Sequence, residues 1–192
     1  MANQVAAGEY PAVLAIPTGC GKTTVIDIWG WALSQALPVP VPRRLYWCID
    51  RRVVVAQTAR FAEALATWVP GLQLAELRGG QSIDVDGIID PSRPAILVTT
   101  VDQLGSRLLW RPYGGISHYV APIHAGLVGN DALIVLDEAH LSEPMGKTLE
   151  AIKQLRGGAI PLSWHIMHLT ATPREAGGFQ LGEDDYADPI LS

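Results

Sequence analysis

Cysteine is scarce in this 192-residue chain: Cys20 and Cys48 are the only two. Two thiols cannot make a disulfide framework or a four-thiolate zinc site. Cys20 lies inside a glycine loop, where a reduced thiol is expected, and this points to a cytoplasmic setting. Long apolar runs are lacking as well. None reaches the roughly 20 residues that span a bilayer, and the N-terminus has no basic-then-apolar signal pattern, so no membrane partner is expected. Positive charge is in deficit, with 14 Lys and Arg against 19 Asp and Glu and a net charge of −5. Such a chain is not a basic nucleic-acid binder as a whole, so any contact with DNA or RNA must come from a local basic face. Internal repeats and low-complexity tracts are also missing.

What is present is a core. The composition is 48% hydrophobic and 17% charged, which suits a parallel sheet buried under helices. Apolar runs predict strands at Ala12–Ile16, Leu45–Ile49, Leu72–Leu77, Ala95–Thr99, Ala132–Leu136 and Ser163–Leu169. Helical spacing predicts helices over Thr23–Ala36, from Arg52 or Val53 to Trp68, over Val101–Leu109 and over Met145–Leu155. Met1–Pro11 reads as a short polar lead-in, and Leu37–Pro42 as an extended connector. Arg78–Pro94 reads as a loop, and Trp110–Ala121, with Pro112 and Pro122, as irregular. Strands alternating with helices predict an α/β fold: a doubly wound, mostly parallel sheet with helices on both faces. The expected division is one domain over residues 1–175 and a Gly-rich acidic linker over 176–192.

The stretch Pro17-Thr18-Gly19-Cys20-Gly21-Lys22-Thr23-Thr24 follows the first strand and opens the first long helix. That is the context a phosphate-binding loop needs. Its glycines let the backbone turn amide N–H groups onto phosphate oxygens, and the helix adds its positive end. Lys22 is placed to reach the β- and γ-phosphates of ATP, and the Thr23 hydroxyl to reach Mg2+. The general pattern opens with glycine, where this chain has Ile16. Alone, the stretch reads equally as a glycine turn joining strand to helix.

Asp137-Glu138-Ala139-His140 closes the fifth strand. A carboxylate there sits at the C-terminal edge of a parallel sheet, where ligands bind. Asp137 is placed to hold the metal beside Thr23, and Glu138 to orient and deprotonate the attacking water. His140 would tie this site to the neighbouring motif. Without the glycine loop, the same pair reads as a strand end with a helix cap and first-turn acid. Thr170-Ala171-Thr172 ends the last strand at the same edge. Its two hydroxyls read as a relay between nucleotide and a bound strand, or as turn chemistry before Pro173.

Together these three motifs resemble the first RecA-like domain of a superfamily 2, DEAH-type helicase. Within that group, Tyr46–Gln57, Thr99–Leu109 and Pro122–Leu127 with Asp137–Ser142 are most similar to the CRISPR-associated helicase–nuclease of type I systems, in the subtype whose nuclease follows the helicase. The resemblance implies ATP and Mg2+ as cofactors and a single-stranded DNA path lined by Arg51, Arg52, Gln57, Thr99, Thr100, Gln103 and Arg107. It also implies a second RecA-like domain that supplies arginines to the transferring phosphoryl group, an HD nuclease domain and a CRISPR surveillance complex as partners. Little activity is expected of the chain alone. A split or truncated nucleotide- or partner-binding module, a DEAH-type RNA helicase and a restriction-enzyme motor are the alternatives.

Other residues invite weaker readings. His165 and His168 fall on opposite faces of one strand, so a shared metal is not expected. His118 and His124 flank a loop with no carboxylate pair beside it. The six tryptophans read as core or interface; Trp110 reads as buried, with base stacking as the alternative. Arg51 and Arg52 read otherwise as solvated helix-start charges, and Arg107 as an exposed helix residue.

Overall fold

The computed structural model describes residues 1–17, 19–49, 64–67, 69–77, 90–111, 119–138, 142–158, 162–171 and 179–180. Among the described residues seven strands form one sheet: β1 (Val13–Ala15), β2 (Arg44–Ile49), β3 (Gln73–Leu77), β4 (Ala95–Thr100), β5 (Ala132–Leu136), β6 (Trp164–Thr170) and β7 (Phe179–Gln180). Their order is β3-β4-β2-β5-β6-β1-β7, and every pairing is parallel. From β1 the chain jumps over two strands to β2, so the sheet is later filled in by β5 and β6. Such a change of direction opens a crevice at the C-terminal ends of the strands.

Side-chain alternation sorts the core into two clusters, one on each face of the sheet. Leu45, Trp47, Leu133, Val135, Met167 and Leu169 point to the face covered by α2 (Thr24–Ser34), where Val25, Ile26 and Trp29 meet them. Tyr46, Cys48, Ile134, Leu136 and Ile166 point the other way. There they meet α3 (Val101–Leu108), α4 (Ala121–Gly129) and α5 (Glu143–Arg156) through Leu104, Val128 and Leu149. Helix α1 (Ala2–Ala6) packs on α2. β2, β4 and β5 are buried along their whole length, as expected of central parallel strands with both faces covered.

Tryptophan N–H groups fasten loops to this core. The Trp29 indole donates to the Pro42 carbonyl at 2.7 Å, holding the proline-rich connector against α2. The Trp164 indole donates to Val128 O at 2.9 Å, and the Arg156 guanidinium lies 5.0 Å from the centre of its ring. Arg156 and Lys153 close the last turn of α5, where cations oppose the helix dipole.

Three elements depart from the sequence reading. Helix α4 covers residues to which the sequence reading assigns no element, apart from Ala121, the last of the stretch read as irregular, and Pro122 reads as a breaker. It stands in the first turn, where its missing N–H costs nothing. His124, read as flanking a loop, lies in this helix and is buried. Helix α1 occupies the lead-in read as polar, with Val5 buried. β7 lies within the stretch read as a linker and adds to the free edge of β1.

At the lower rim, Tyr10 stacks on His165 with ring centroids 4.1 Å apart, and Ser163 Oγ lies 2.8 Å from His165 Nε2. Burial, aided by Lys153 and Arg156, pushes the His165 pKa down to about 4. His124 and His168 are lowered too, chiefly by burial. These rings stay neutral in the fold but take up protons once unfolded. Folded pKa values below the unfolded one make stability fall as pH drops from the unfolded value towards the folded one. Urea midpoints should therefore decline from pH 7 to pH 4. His165→Phe, which keeps a ring against Tyr10, should flatten that decline by about 2 kcal/mol after allowance for partial exposure. An unchanged profile in the variant would contradict this account.

Candidate nucleotide site

The loop after β1 is shaped by its glycines. Gly19 and Gly21 have φ of 89° and 80°, the left-handed region that side chains disfavour. A Cβ on Gly21 would also sit 3.1 Å from Thr24 Oγ1. Cys20 N donates to Pro17 O, and Thr24 N, Val25 N and Ile26 N donate to the carbonyls of Gly21, Lys22 and Thr23. Among the described residues, the amides of Gly21, Lys22 and Thr23 donate to no backbone carbonyl. Amides at the start of a helix are the kind of donor that phosphate oxygens satisfy. Ile16 N donates to Thr170 O at 3.2 Å, so the loop leaves β1 beside the end of β6. Ile16 itself is buried in the core, in the place where the general pattern has glycine.

Across β6 stands the end of β5. Asp137 N donates to Cys48 O at 2.8 Å, continuing the β2–β5 register by one residue. Asp137 Oδ1 then accepts from the Glu138 amide at 3.0 Å. Glu138 takes a left-handed φ of 52°. For a residue with a side chain this is strained, and such strain gathers at functional sites. The turn aims Glu138 back at the loop: its Oε1 lies 3.2 Å from Lys22 Nζ. The lysine side chain is 10% exposed and the glutamate 36%.

Burial raises the Asp137 pKa, against the pull of nearby Lys22 and the Glu138 amide; the Glu138 charge adds to the rise. The Trp47 indole acts to lower it, although Trp47 Nε1 is buried and makes no full hydrogen bond. Sequence reasoning missed Trp47 as a neighbour of this carboxyl, because only the β2–β5 pairing brings them together.

The donor set fits a magnesium ion. Thr23 caps α2 without using its hydroxyl on the helix, and Asp137 offers a carboxylate; both are hard oxygen donors. Among the described residues no group of three His, Cys, Asp or Glu gathers into a cage. Magnesium commonly binds through one or two protein oxygens plus phosphates and water. Both cysteines are free thiols.

The remaining candidates divide. Thr18, His140, Thr172, Arg51, Arg52 and Gln57 lie outside the described residues. Thr99 and Thr100 end β4, Gln103 lies near the start of α3 and Arg107 in its last turn, but all four are buried. Arg107 is 1% exposed, and its Nη1 bonds to both the carbonyl and the side-chain oxygen of Gln103. It is thus not the exposed helix residue of the alternative reading, and these side chains do not form an open face. Trp110 departs in the opposite direction: it reads as buried but is 62% exposed.

A glycine loop between strand and helix, facing a strand-end Asp-Glu pair over the end of an all-parallel sheet, defines a RecA-like, P-loop type of domain. The chain belongs to the DEAD/DEAH box helicase family, whose pattern matches residues 2–177. A search of curated proteins finds no match. Among solved structures, the chain is similar to the DUF1998 helicase MrfA, solved bound to DNA and AMPPNP, with a TM-score of 0.61 and 16% identity. It is also similar to the Sulfolobus solfataricus SWI2/SNF2 ATPase core solved with double-stranded DNA, with a TM-score of 0.46 and 19% identity. The matches cover 90% and 88% of this chain but only 23% and 29% of those chains. Among the described residues no helix is long and apolar enough to cross a membrane.

Proposed function

We propose that this chain is the ATP-binding half of an ATP-dependent DNA translocase. The observation that carries this reading is the 3.2 Å approach of Lys22 to Glu138 at one rim of the sheet. Two residues 116 positions apart in sequence meet where a triphosphate would lie between them. Loop residues Pro17–Thr24 would cradle the phosphates, with Lys22 released from Glu138 onto the β- and γ-oxygens. Thr23 and Asp137 would hold Mg2+, which when bound neutralises charge on the phosphates. Glu138 would then take the proton of the attacking water, and His140, Thr170 and Thr172 would couple this site to bound nucleic acid.

The finer reading is a motor of type I CRISPR interference that works with a second RecA-like domain, an HD nuclease domain and a surveillance complex. Its support is the likeness of Tyr46–Gln57 and Thr99–Leu109 to that group. Arg51, Arg52, Gln57, Thr99, Thr100, Gln103 and Arg107 would contact single-stranded DNA, the buried four after rearrangement of the β4–α3 corner. Because the second domain would supply arginines worth about a thousandfold or more in rate, the chain alone should bind Mg-ATP but turn it over barely.

Titration with a fluorescent ATP analogue tests the core of the proposal. Binding should require Mg2+, and single-stranded DNA should strengthen it more than RNA does. Equal binding after chelation of the metal would overturn the nucleotide site, and a preference for RNA would move the motor to the RNA helicases.

A further inference from the structure

We propose that Trp110 and Arg111 form a single-stranded DNA contact: the indole is a stacking platform for one base, and the guanidinium takes an adjoining phosphate. This deepens the reading of the chain as a DNA motor and rests on it.

The first observation is a misfit. Trp110 has φ of 63°, in the left-handed region, just past the end of α3. Its amide donates to Arg107 O at 3.1 Å and the Arg111 amide to Ser106 O at 2.6 Å, closing the helix. Glycine or asparagine normally takes the left-handed place at a helix end. A tryptophan there gains nothing from the backbone, and with 62% of its surface exposed it gains little from packing. Trp29, Trp47 and Trp164, by contrast, are buried, and Trp31 is 36% exposed. Strain and exposure in one large aromatic point to a contact outside the chain.

The second observation is what stands beside it. Arg111 is exposed, and among the described residues its side chain makes no hydrogen bond or ion pair. It lines a groove of about 480 Å³ with Gly105, Ser106 and Leu109 on one side and Pro144 and Thr148 on the other. Those walls are α3 and the start of α5, which follow β4 and β5. The groove therefore opens near the rim that holds Lys22 and Glu138. Asp102 also lines it, but from the first turn of α3, roughly 10 Å along the helix from the Arg111 end.

The chemistry favours a nucleic-acid strand over an apolar peptide. The chain carries a net charge of −5, so a polyanion must find a local cation, and Arg111 is one with no competing partner among the described residues. An exposed ring one residue before that cation in the chain offers, with it, the two contacts single strands use: a sequence-tolerant π-face for a base and a charge for the backbone.

Anisotropy of a labelled oligothymidylate with the whole chain, over a range of salt, tests this. Trp110→Ala should weaken binding about tenfold without changing the salt dependence, and Trp110→Phe should restore most of it. Arg111→Ala should reduce the slope of log K against log salt by about 0.7. Unchanged melting of Trp110→Ala would show that the loss is one of contact. If the wild-type chain binds and Trp110→Ala binds as tightly, the stacking contact is wrong and the motor reading stands. If the wild-type chain binds no oligonucleotide, with or without Mg-ATP, both fall.

Discussion

Replacing Glu138 by glutamine is expected to slow ATP hydrolysis by about 10²- to 10⁴-fold while nucleotide affinity holds or rises a few-fold. The two effects have one geometric origin. Glu138 lies 3.2 Å from Lys22 and occupies the cation that the phosphates need. Glutamine is isosteric but uncharged, so it cannot take a proton from water and competes less for the lysine. At 36% exposure the lost pair should cost the free protein less than about 1 kcal/mol. Lys22→Ala should do the reverse at the binding step. It removes the cation from the phosphates, so affinity should fall about tenfold or more. Turnover measured in a form that carries the partner domain, alongside nucleotide titration, separates the variants. If Glu138→Gln lost affinity as Lys22→Ala does, Glu138 would be a binding group and the assignment of the base would fail.

How far this site can be read before folding depends on the range of the forces involved. Gly19 and Gly21 are legible because a turn into left-handed backbone demands glycine locally. The end of β5 is legible because a run of apolar residues stops at a carboxylate. Both are short-range facts. Long-range pairing is what stays hidden: that Cys48 O receives the Asp137 amide, or that Trp47 stands near the same carboxyl, follows from β2 lying beside β5, which no local pattern states. The burial of Arg107 is hidden for the same reason. A helix surface position normally keeps arginine in water, but α3 turns this face inward, where Gln103 supplies acceptors for Nη1 only. Pro122 misleads because one residue type has two roles: it breaks a helix interior but suits a helix start. Trp110 misleads because hydrophobicity predicts burial only on average.

The other large effect is expected at the rim opposite the nucleotide site. Arg44 opens β2 and is buried. Its Nε donates to Leu127 O at 3.1 Å, its Nη1 to Pro91 O at 3.3 Å and its Nη2 to Asn130 O at 3.0 Å. Asp131 Oδ2 lies 3.8 Å from Nη2 and Asp131 Oδ1 accepts the Arg43 amide at 3.0 Å. One guanidinium thus joins the end of α4, the turn before β5 and the loop before β4. Arg44→Met keeps the aliphatic stem but leaves those carbonyls without their donor and Asp131 with Arg43 alone, so urea unfolding should show a loss of about 3 kcal/mol. Arg43→Ala is the control. Arg43 also pairs with Asp131, at 3.2 Å, but its side chain is 50% exposed, and the loss should stay below about 1 kcal/mol. Equal losses would show that charge, not the buried carbonyl network, holds this rim. The consequence reaches the site because β2 and β5 run in step from Arg44↔Ala132 to Cys48↔Leu136. A rim that no longer fixes that register leaves the Asp137 amide less firmly bonded to Cys48. Hydrogen exchange at Asp137 should therefore speed up in Arg44→Met and stay unchanged in Arg43→Ala.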